Sequence, residues 1–292
     1  MRPRPPRVRT LARTPEWNAP SPIVVLLAGG RSARFGRDKL LEPVDGLAVI
    51  ARVARAARPI ASRLVLSAPE ARLAELQPLL PHGTGAVPDA PAVWGPGPGG
   101  AIASVLAQSE DRPVLFLPSD MPWLSEGAIR HLAEVAARSG AEVVAVYWSD
   151  GTTEHLIQWH SAPLDDGDRA AVPRPAPGGS LRASEFLRAA PRTLWVPVSA
   201  LTSDPREFAH LTYPTDRDRP SPRGRLGEGD PMREIVGSPK AAYRNAIRAF
   251  ARGDHAIARL EFERESLWYQ SAWLPRLSEH AARDAGALLE PK

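Results

Sequence analysis

The residues best suited to chemistry fall in one short string, Ala28-Gly29-Gly30-Arg31-Ser32-Ala33-Arg34-Phe35-Gly36-Arg37-Asp38-Lys39. Glycines let a backbone approach an anion closely, exposed N–H groups donate to it, and Arg34 and Lys39 bring positive charge. That is the chemistry of phosphate binding. No Gly-Lys-Ser/Thr follows the glycines, so this is not a Walker loop, and the G-x-G-x-x-G dinucleotide spacing is absent. A glycine turn flanked by solvated cations would look the same in isolation. Lys39 adds a second signal. Only three of the 37 Lys and Arg residues are lysine, at 39, 240 and 292. A chain that uses arginine almost everywhere keeps a compact ammonium on a flexible stem here, which suits a charge that shifts during reaction. Asp120 follows the apolar run Val114–Pro118. A carboxylate at such a place could hold Mg²⁺, which takes one or two carboxylates plus phosphate oxygens and water. It could equally cap the turn before Ser125. Asp89, in Pro88-Asp89-Ala90-Pro91, is ordinary turn chemistry taken alone.

These side chains need elements to hold them. The run Ile23–Ala28 is apolar on both faces and stops at glycine, as a buried parallel strand does. Similar runs occupy 63–67, 114–118, 142–147 and 193–198. Helical stretches lie between them at 49–57, 69–80, 100–108, 125–139 and 180–190. The alternation predicts an α/β fold, a doubly wound and mostly parallel sheet with helices on both faces. Ligands of such sheets bind beyond the strand C-termini, where the glycine string and Asp120 would both sit.

The net charge is +4, and the first twenty residues carry five arginines and one glutamate, so the rest of the chain sums to zero. A nucleic-acid binder concentrates basic charge on its folded domain, so no nucleic-acid partner is expected. Residues 1–20, rich in Arg and Pro, read as a disordered tail. The catalytic unit is expected at 21–216, a linker at 217–237, and a helical appendix at 238–292. Ser238 reads as the N-cap of a first appendix helix and Asp254 as the cap of a second, with a third short helix near 278–288. Trp268, Tyr269 and Trp273 would form its docking face, toward the catalytic unit, a second copy or a protein partner. The absence of cysteine excludes disulfides, thiolate metal sites and a cysteine nucleophile. No apolar run is long enough to cross a bilayer and no secretory h-region opens the chain, so a cytoplasmic protein without membrane contact is expected.

The string from Ala28 to Lys39 resembles the opening motif of the MobA-like nucleotidyltransferases, L-A-G-G-x-S-x-R-M-G-x-D-K. Ala28, Gly29, Gly30, Ser32, Arg34, Gly36, Asp38 and Lys39 match it, with Phe35 in place of Met. Further segments resemble the family in the same order: Val87-Pro88-Asp89, the turn Gly95–Gly100, and Leu117–Leu124 with Ser119 where the family carries Cys. The resemblance covers about residues 22–216. It implies a Rossmann-like nucleotidyltransferase that moves GMP from GTP to molybdenum-molybdopterin, releasing pyrophosphate with Mg²⁺ as cofactor. It further implies that Leu27, Ala28, Gly29, Gly30, Ser32, Gly36, Lys39, Ser67, Asp89, Gly99 and Gly100 contact the nucleotide. Lys39, Arg34 and Asp120 would carry catalysis, and Asp120 with Asp89 the metal.

Two departures stand out. Ser67 replaces an asparagine usual after the second strand, and His210-Leu211-Thr212-Tyr213-Pro214-Thr215-Asp216 replaces the family's N-x-N-T-P-E-D segment. Related transferases use CTP or another acceptor phosphate, and a cofactor-delivery module acting through the C-terminal helices is a further alternative. His155 lies where the family carries a substrate-facing strand. Asp165, Asp166 and Asp168 read as a solvated acidic loop.

Overall fold

A computed structural model of the chain describes residues 7–8, 21–30, 32, 34–90, 93, 95–109, 112–161, 181–272 and 274–288. The acidic loop at 165–168, Trp273 and the tail apart from residues 7–8 lie outside the described residues.

The apolar run read as a strand is β2 (Ile23–Leu27), buried at the heart of a nine-stranded sheet. Across that sheet the order is β1 (Arg7–Val8), β11 (Arg233–Val236), β10 (Arg192–Pro197), β8 (Val143–Tyr147), β9 (Thr153–His160), β7 (Val114–Pro118), β2, β5 (Arg63–Ala68) and β6 (Gly85–Pro88). β2 pairs in parallel with β5 and β7, β5 with β6, and β8 with β10. Two strands run the other way, β9 between β7 and β8, and β11 beside β10, while the edge strand β1, antiparallel to β11, returns to the main direction. A two-stranded hairpin of β3 (Pro43–Val44) and β4 (Leu47–Ala48) stands apart. The doubly wound, mostly parallel sheet is therefore as the alternation predicts, with β9, β11 and β1 among the strands that the hydropathy pattern does not show.

Alternate side chains of each strand point to opposite faces, and each face has its own cover. Val24, Leu26, Leu64, Leu66, Leu115 and Leu117 meet α1 (Val49–Ala57) and α4 (Glu126–Ser139) on one face. On the other, Val25, Val65, Val114 and Phe116 meet α3 (Pro98–Leu106) and Phe186 of α5 (Ala183–Ala189). A short α2 (Glu70–Leu76) follows β5.

The C-terminal helices α6 (Ser238–Ala251), α7 (His255–Ser271) and α8 (Pro275–Gly286) complete that second face over β8, β10 and β11. Tyr269, Leu274 and Leu277 pack with Tyr147, Trp195 and Ile235. Tyr243 and Phe262 are buried, whereas Leu260 stays exposed and Trp268 is only half-buried, so the inward face is not quite the aromatic set the sequence suggests. Behind it, the fully buried Arg188 of α5 donates two hydrogen bonds to Glu265 of α7, at 2.6 and 2.7 Å, and one of 2.7 Å to Asp284 of α8.

Three boundary expectations are corrected. Arg7–Val8 pair with Arg233–Glu234, so the tail is not wholly unstructured. Within 217–237, residues 233–236 are a sheet strand, the Tyr147 hydroxyl donates to the Pro231 carbonyl at 2.6 Å, and the Ser149 N–H donates to the Arg225 carbonyl at 3.1 Å. That segment is laid against the strand ends and is not a free linker. The appendix caps also differ. Gly237, with φ of 79°, is the N-cap of α6, and the Asp254 side chain does not cap α7, because Arg252 draws it aside. A positive φ is open to glycine at no steric cost, so the turn sets the helix start one residue early.

Candidate active site

Beyond the end of β2 the chain turns outward. Leu27 and Ala28 are still buried, and Gly29 and Gly30 are exposed. The Ala28 N–H donates to the Ser67 carbonyl at 2.8 Å, which extends the ladder one residue past the strand. The turn lines a cleft of about 500 Å³ together with Ser32, Gly36, Arg37, Asp38, Pro69 and Arg72. Arg72, from the first turn of α2, donates to the carbonyls of Ala28 at 3.0 Å and Gly30 at 2.8 Å, and pairs with Asp38. With the Gly30 carbonyl held back by Arg72, the turn is braced from behind. Asp38 also accepts from the Leu40 N–H at 3.0 Å, capping the single 3-10 turn Lys39–Leu41 that carries the lysine. The Ser32 hydroxyl accepts from the Lys39 N–H at 3.3 Å, so it fixes the same turn.

Lys39 leans across the sheet end. Its ammonium donates to Asp120 Oδ2 at 2.6 Å, both side chains being under one-fifth exposed. Asp120 stands two residues past β7, where the Ser119 N–H donates to the Leu27 carbonyl at 3.2 Å and ties this end of β7 to that of β2, and the 3-10 turn Lys39–Leu41 brings the lysine to it. Asp120 Oδ1 faces His210 Nδ1 at 2.9 Å, and His210 Nε2 faces Glu154 Oε2 at 2.9 Å. Glu154 Oε1 accepts from Trp148 Nε1 at 2.9 Å. The result is a line of alternating charge, Lys39–Asp120–His210–Glu154, running from the cleft into the core. Burial works against a charge on His210, but the carboxylates on either side overcome it and lift the imidazole to about 9. Both ring nitrogens then donate. Burial alone would raise Asp120; His210 and Lys39 reverse that and hold it well below the usual carboxylate range.

The structure brings together Gly29, Gly30, Ser32, Gly36, Lys39 and Asp120. Arg34 stands exposed on the turn, while Arg37 and Arg72 line the cleft. Asp89 reaches the turn from the other side: a Cβ at Gly29 would lie 3.1 Å from its Oδ2. Its Oδ1 accepts from the buried Ser67 hydroxyl at 3.0 Å, and burial pushes its carboxyl up. Ser67 is thus spent on Asp89 and is not itself open to the cleft. Asp89 comes from β6 and Asp120 from β7, with β5 and β2 between them, and no described contact joins the pair. Gly99 and Gly100 are buried in the first turn of α3, and a Cβ on Gly99 would collide with the Leu181 carbonyl. His155 points away from the cleft, its ring 5.2 Å from that of His280 on α8.

Arg72 and Glu154 carry no mark in the sequence, since each finds its partner only through the fold. His210 is the first residue of the departing segment, and a histidine replacing a polar position was the available sign. Among the described residues no cluster of three or more metal-ligating side chains occurs, and no helix is long and apolar enough to cross a membrane.

This arrangement has relatives. The chain is 35% identical over 120 residues to a molybdenum cofactor guanylyltransferase of Pseudomonas fluorescens, which is 40% of this chain and 56% of that protein. A probable molybdenum cofactor guanylyltransferase of Rhodopirellula baltica is 34% identical over 137 residues, 45% of this chain and 64% of the other. The chain spans less than two thirds of the length of either relative. In fold it is similar to a molybdopterin-guanine dinucleotide biosynthesis protein A of Archaeoglobus fulgidus, with a TM-score of 0.53, 19% identity, and coverage of 67% of this chain and 95% of that one. A nucleotidyl transferase of Methanothermobacter gives a TM-score of 0.50 at 19% identity, covering 67% and 94%. The sequence pattern of the MobA-like NTP transferase domain matches residues 24–203, more than half of the chain, and the chain belongs to that family.

Proposed function

We propose that the chain is a nucleotidyltransferase that moves GMP from GTP to the terminal phosphate of a molybdopterin-type acceptor. An acceptor phosphate oxygen attacks the α-phosphorus, the bond from that phosphorus to the bridging oxygen breaks, and pyrophosphate leaves. Such a step needs positioning and charge neutralisation more than side-chain covalency. The observation that carries the reading is the Lys39–Asp120 pair, whose lysine is held by Ser32 and Asp38 of the cleft that the exposed Gly29 and Gly30 line. Gly29, Gly30 and Ser32 would cradle the phosphates. Lys39, aided by Arg34 from the exposed turn, would meet the charge growing on pyrophosphate.

Asp120 suits a hard divalent cation: it is an ionised carboxylate just past a strand end, partly exposed to solvent. Mg²⁺ bound there would neutralise charge on the triphosphate. Asp89, tied to Ser67, would shape the turn from the opposite side.

The test is turnover with each of the four nucleoside triphosphates, Mg²⁺ and molybdopterin, scored by pyrophosphate and product. GTP-dependent release of both is expected. Turnover with CTP alone would replace the base assignment, and turnover only with a different acceptor phosphate would replace the acceptor. Binding without turnover under any combination would favour a cofactor-delivery role.

A further inference from the structure

The two oxygens of Asp120 live in different surroundings. Oδ1 is fixed from within the core by His210, which Glu154 holds in turn, and Trp148 holds Glu154; all three side chains are buried. None of these groups can swing away without leaving another buried polar group unpaired, a costly outcome. Oδ2 instead carries the Lys39 ammonium, at the end of a four-carbon stem that rises from a one-turn 3-10 segment at the cleft. That stem can move. We propose that Lys39 is a placeholder on Asp120: its ammonium occupies the carboxylate oxygen that a divalent cation would take, so the chain binds such a cation only together with a nucleoside triphosphate.

The argument is one of charge. A divalent cation approaching Oδ2 while Lys39 is in place meets a like charge within a few ångströms and finds both lone-pair faces of the carboxylate engaged. Lys39 has no reason to leave until another anion is offered. Its neighbour Asp38 cannot serve, being held by Arg72 and the Leu40 N–H. A triphosphate on the glycine turn would supply that anion on the cleft side of the lysine. The ammonium would pass from carboxylate to phosphate, and Oδ2 would open as the phosphates bring their own oxygens to the ion. The inference rests on the reading of Asp120 as the cation ligand, and its failure can be separated from failure of that reading.

Mn²⁺ is the probe, followed by electron paramagnetic resonance of the free ion and by water-proton relaxation of the bound one. The triphosphate is either the α,β-methylene analogue of GTP or inorganic tripolyphosphate, which removes any dependence on the base. The wild-type chain should bind Mn²⁺ weakly alone and at one site per chain with either triphosphate. Lys39→Met should bind Mn²⁺ without triphosphate at least tenfold more tightly than wild type, and Lys39→Ala should do the same. Adding Asp120→Asn to either variant should abolish the gain. Wild-type binding of Mn²⁺ alone as tight as that of both lysine variants would overturn the placeholder role and leave Asp120 as the ligand. Unchanged binding by Asp120→Asn in the presence of triphosphate would overturn the ligand reading itself.

Discussion

At the scale of single residues, the site is a contest between two cations for one carboxylate. Lys39→Arg keeps the charge but replaces a compact donor with a planar fork that cannot follow a moving phosphate. Turnover should fall by at least tenfold while nucleotide affinity changes little; an unchanged kcat with a raised KM and weaker nucleotide binding, measured by steady-state kinetics and equilibrium dialysis, would show that Lys39 only binds. His210→Gln should be the second informative change. It leaves a hydrogen-bonding side chain but removes the imidazolium between Asp120 and Glu154, so the buried Glu154 loses its nearest cation and Asp120 keeps only Lys39. Breaking a buried charged network in this way costs about 3–5 kcal/mol, read as a lower midpoint of urea unfolding. Adding Glu154→Gln should restore part of that loss, and a double variant less stable than His210→Gln would refute the charge argument. The glycine string and Asp120 were legible in the sequence because each announces itself locally, by glycine beside charge or by an aspartate closing an apolar run. His210, Glu154 and Arg72 were not. Their meaning lies in partners 90, 56 and 34 residues away, and no local pattern encodes such a distance.

Among elements, the packing of α3 against the start of α5 fixes where the turn Gly95–Gly100 lies. The backbone at Leu181–Arg182, just before α5, sits so close to α3 that Gly99 has no space for a methyl group. Gly99→Ala should therefore push α3 off this contact, at roughly 1–3 kcal/mol of stability, and shift the turn Gly95–Gly100 with it. Differential scanning calorimetry and nucleotide titration should both register the change; a wild-type melting temperature would mean that α3 moves freely. β9 was hidden for a related reason. It buries Glu154, Gln158 and His160, so its hydropathy does not resemble that of a core strand. Those polar groups are paired inside: His160 with Gln158, Glu154 with His210 and Trp148. The parallel strands, apolar on both faces, had no such disguise.

Over the whole molecule, the C-terminal helices are one layer of the fold. They cover the sheet face over β8 and β10 and lock to α5 through Arg188, Glu265 and Asp284. Removing residues 238–292 should expose Trp195 and Tyr147 and strand Arg188 without its carboxylates. Such a protein should aggregate or melt far lower, as light scattering and circular dichroism would reveal; an unchanged melting temperature would make the helices a detachable arm. Acid should weaken the intact chain as well. Burial holds His160 down to about 3, whereas an unfolded histidine titrates near 6.5. The unfolded chain thus binds more protons below that value, and stability falls as pH drops from about 6.5 toward 3. His160→Phe, between the rings of Phe116 and Phe186, should show a shallower fall in urea midpoint over that window, and parallel curves would rule His160 out as a source. The near-absence of lysine has a last consequence, for labelling. Lys240 is sealed in the interior, donating to the Leu187 carbonyl and to Thr193 Oγ1, and Lys292 lies at the chain end. Lys39 is then the one side-chain amine among the described residues that an acylating reagent can reach. A reagent that in most proteins scatters over the surface becomes here, at the peptide that carries Lys39, a reporter of one ion pair, and its rate of attack there, read by mass spectrometry, counts the moments when that amine stands free of its carboxylate.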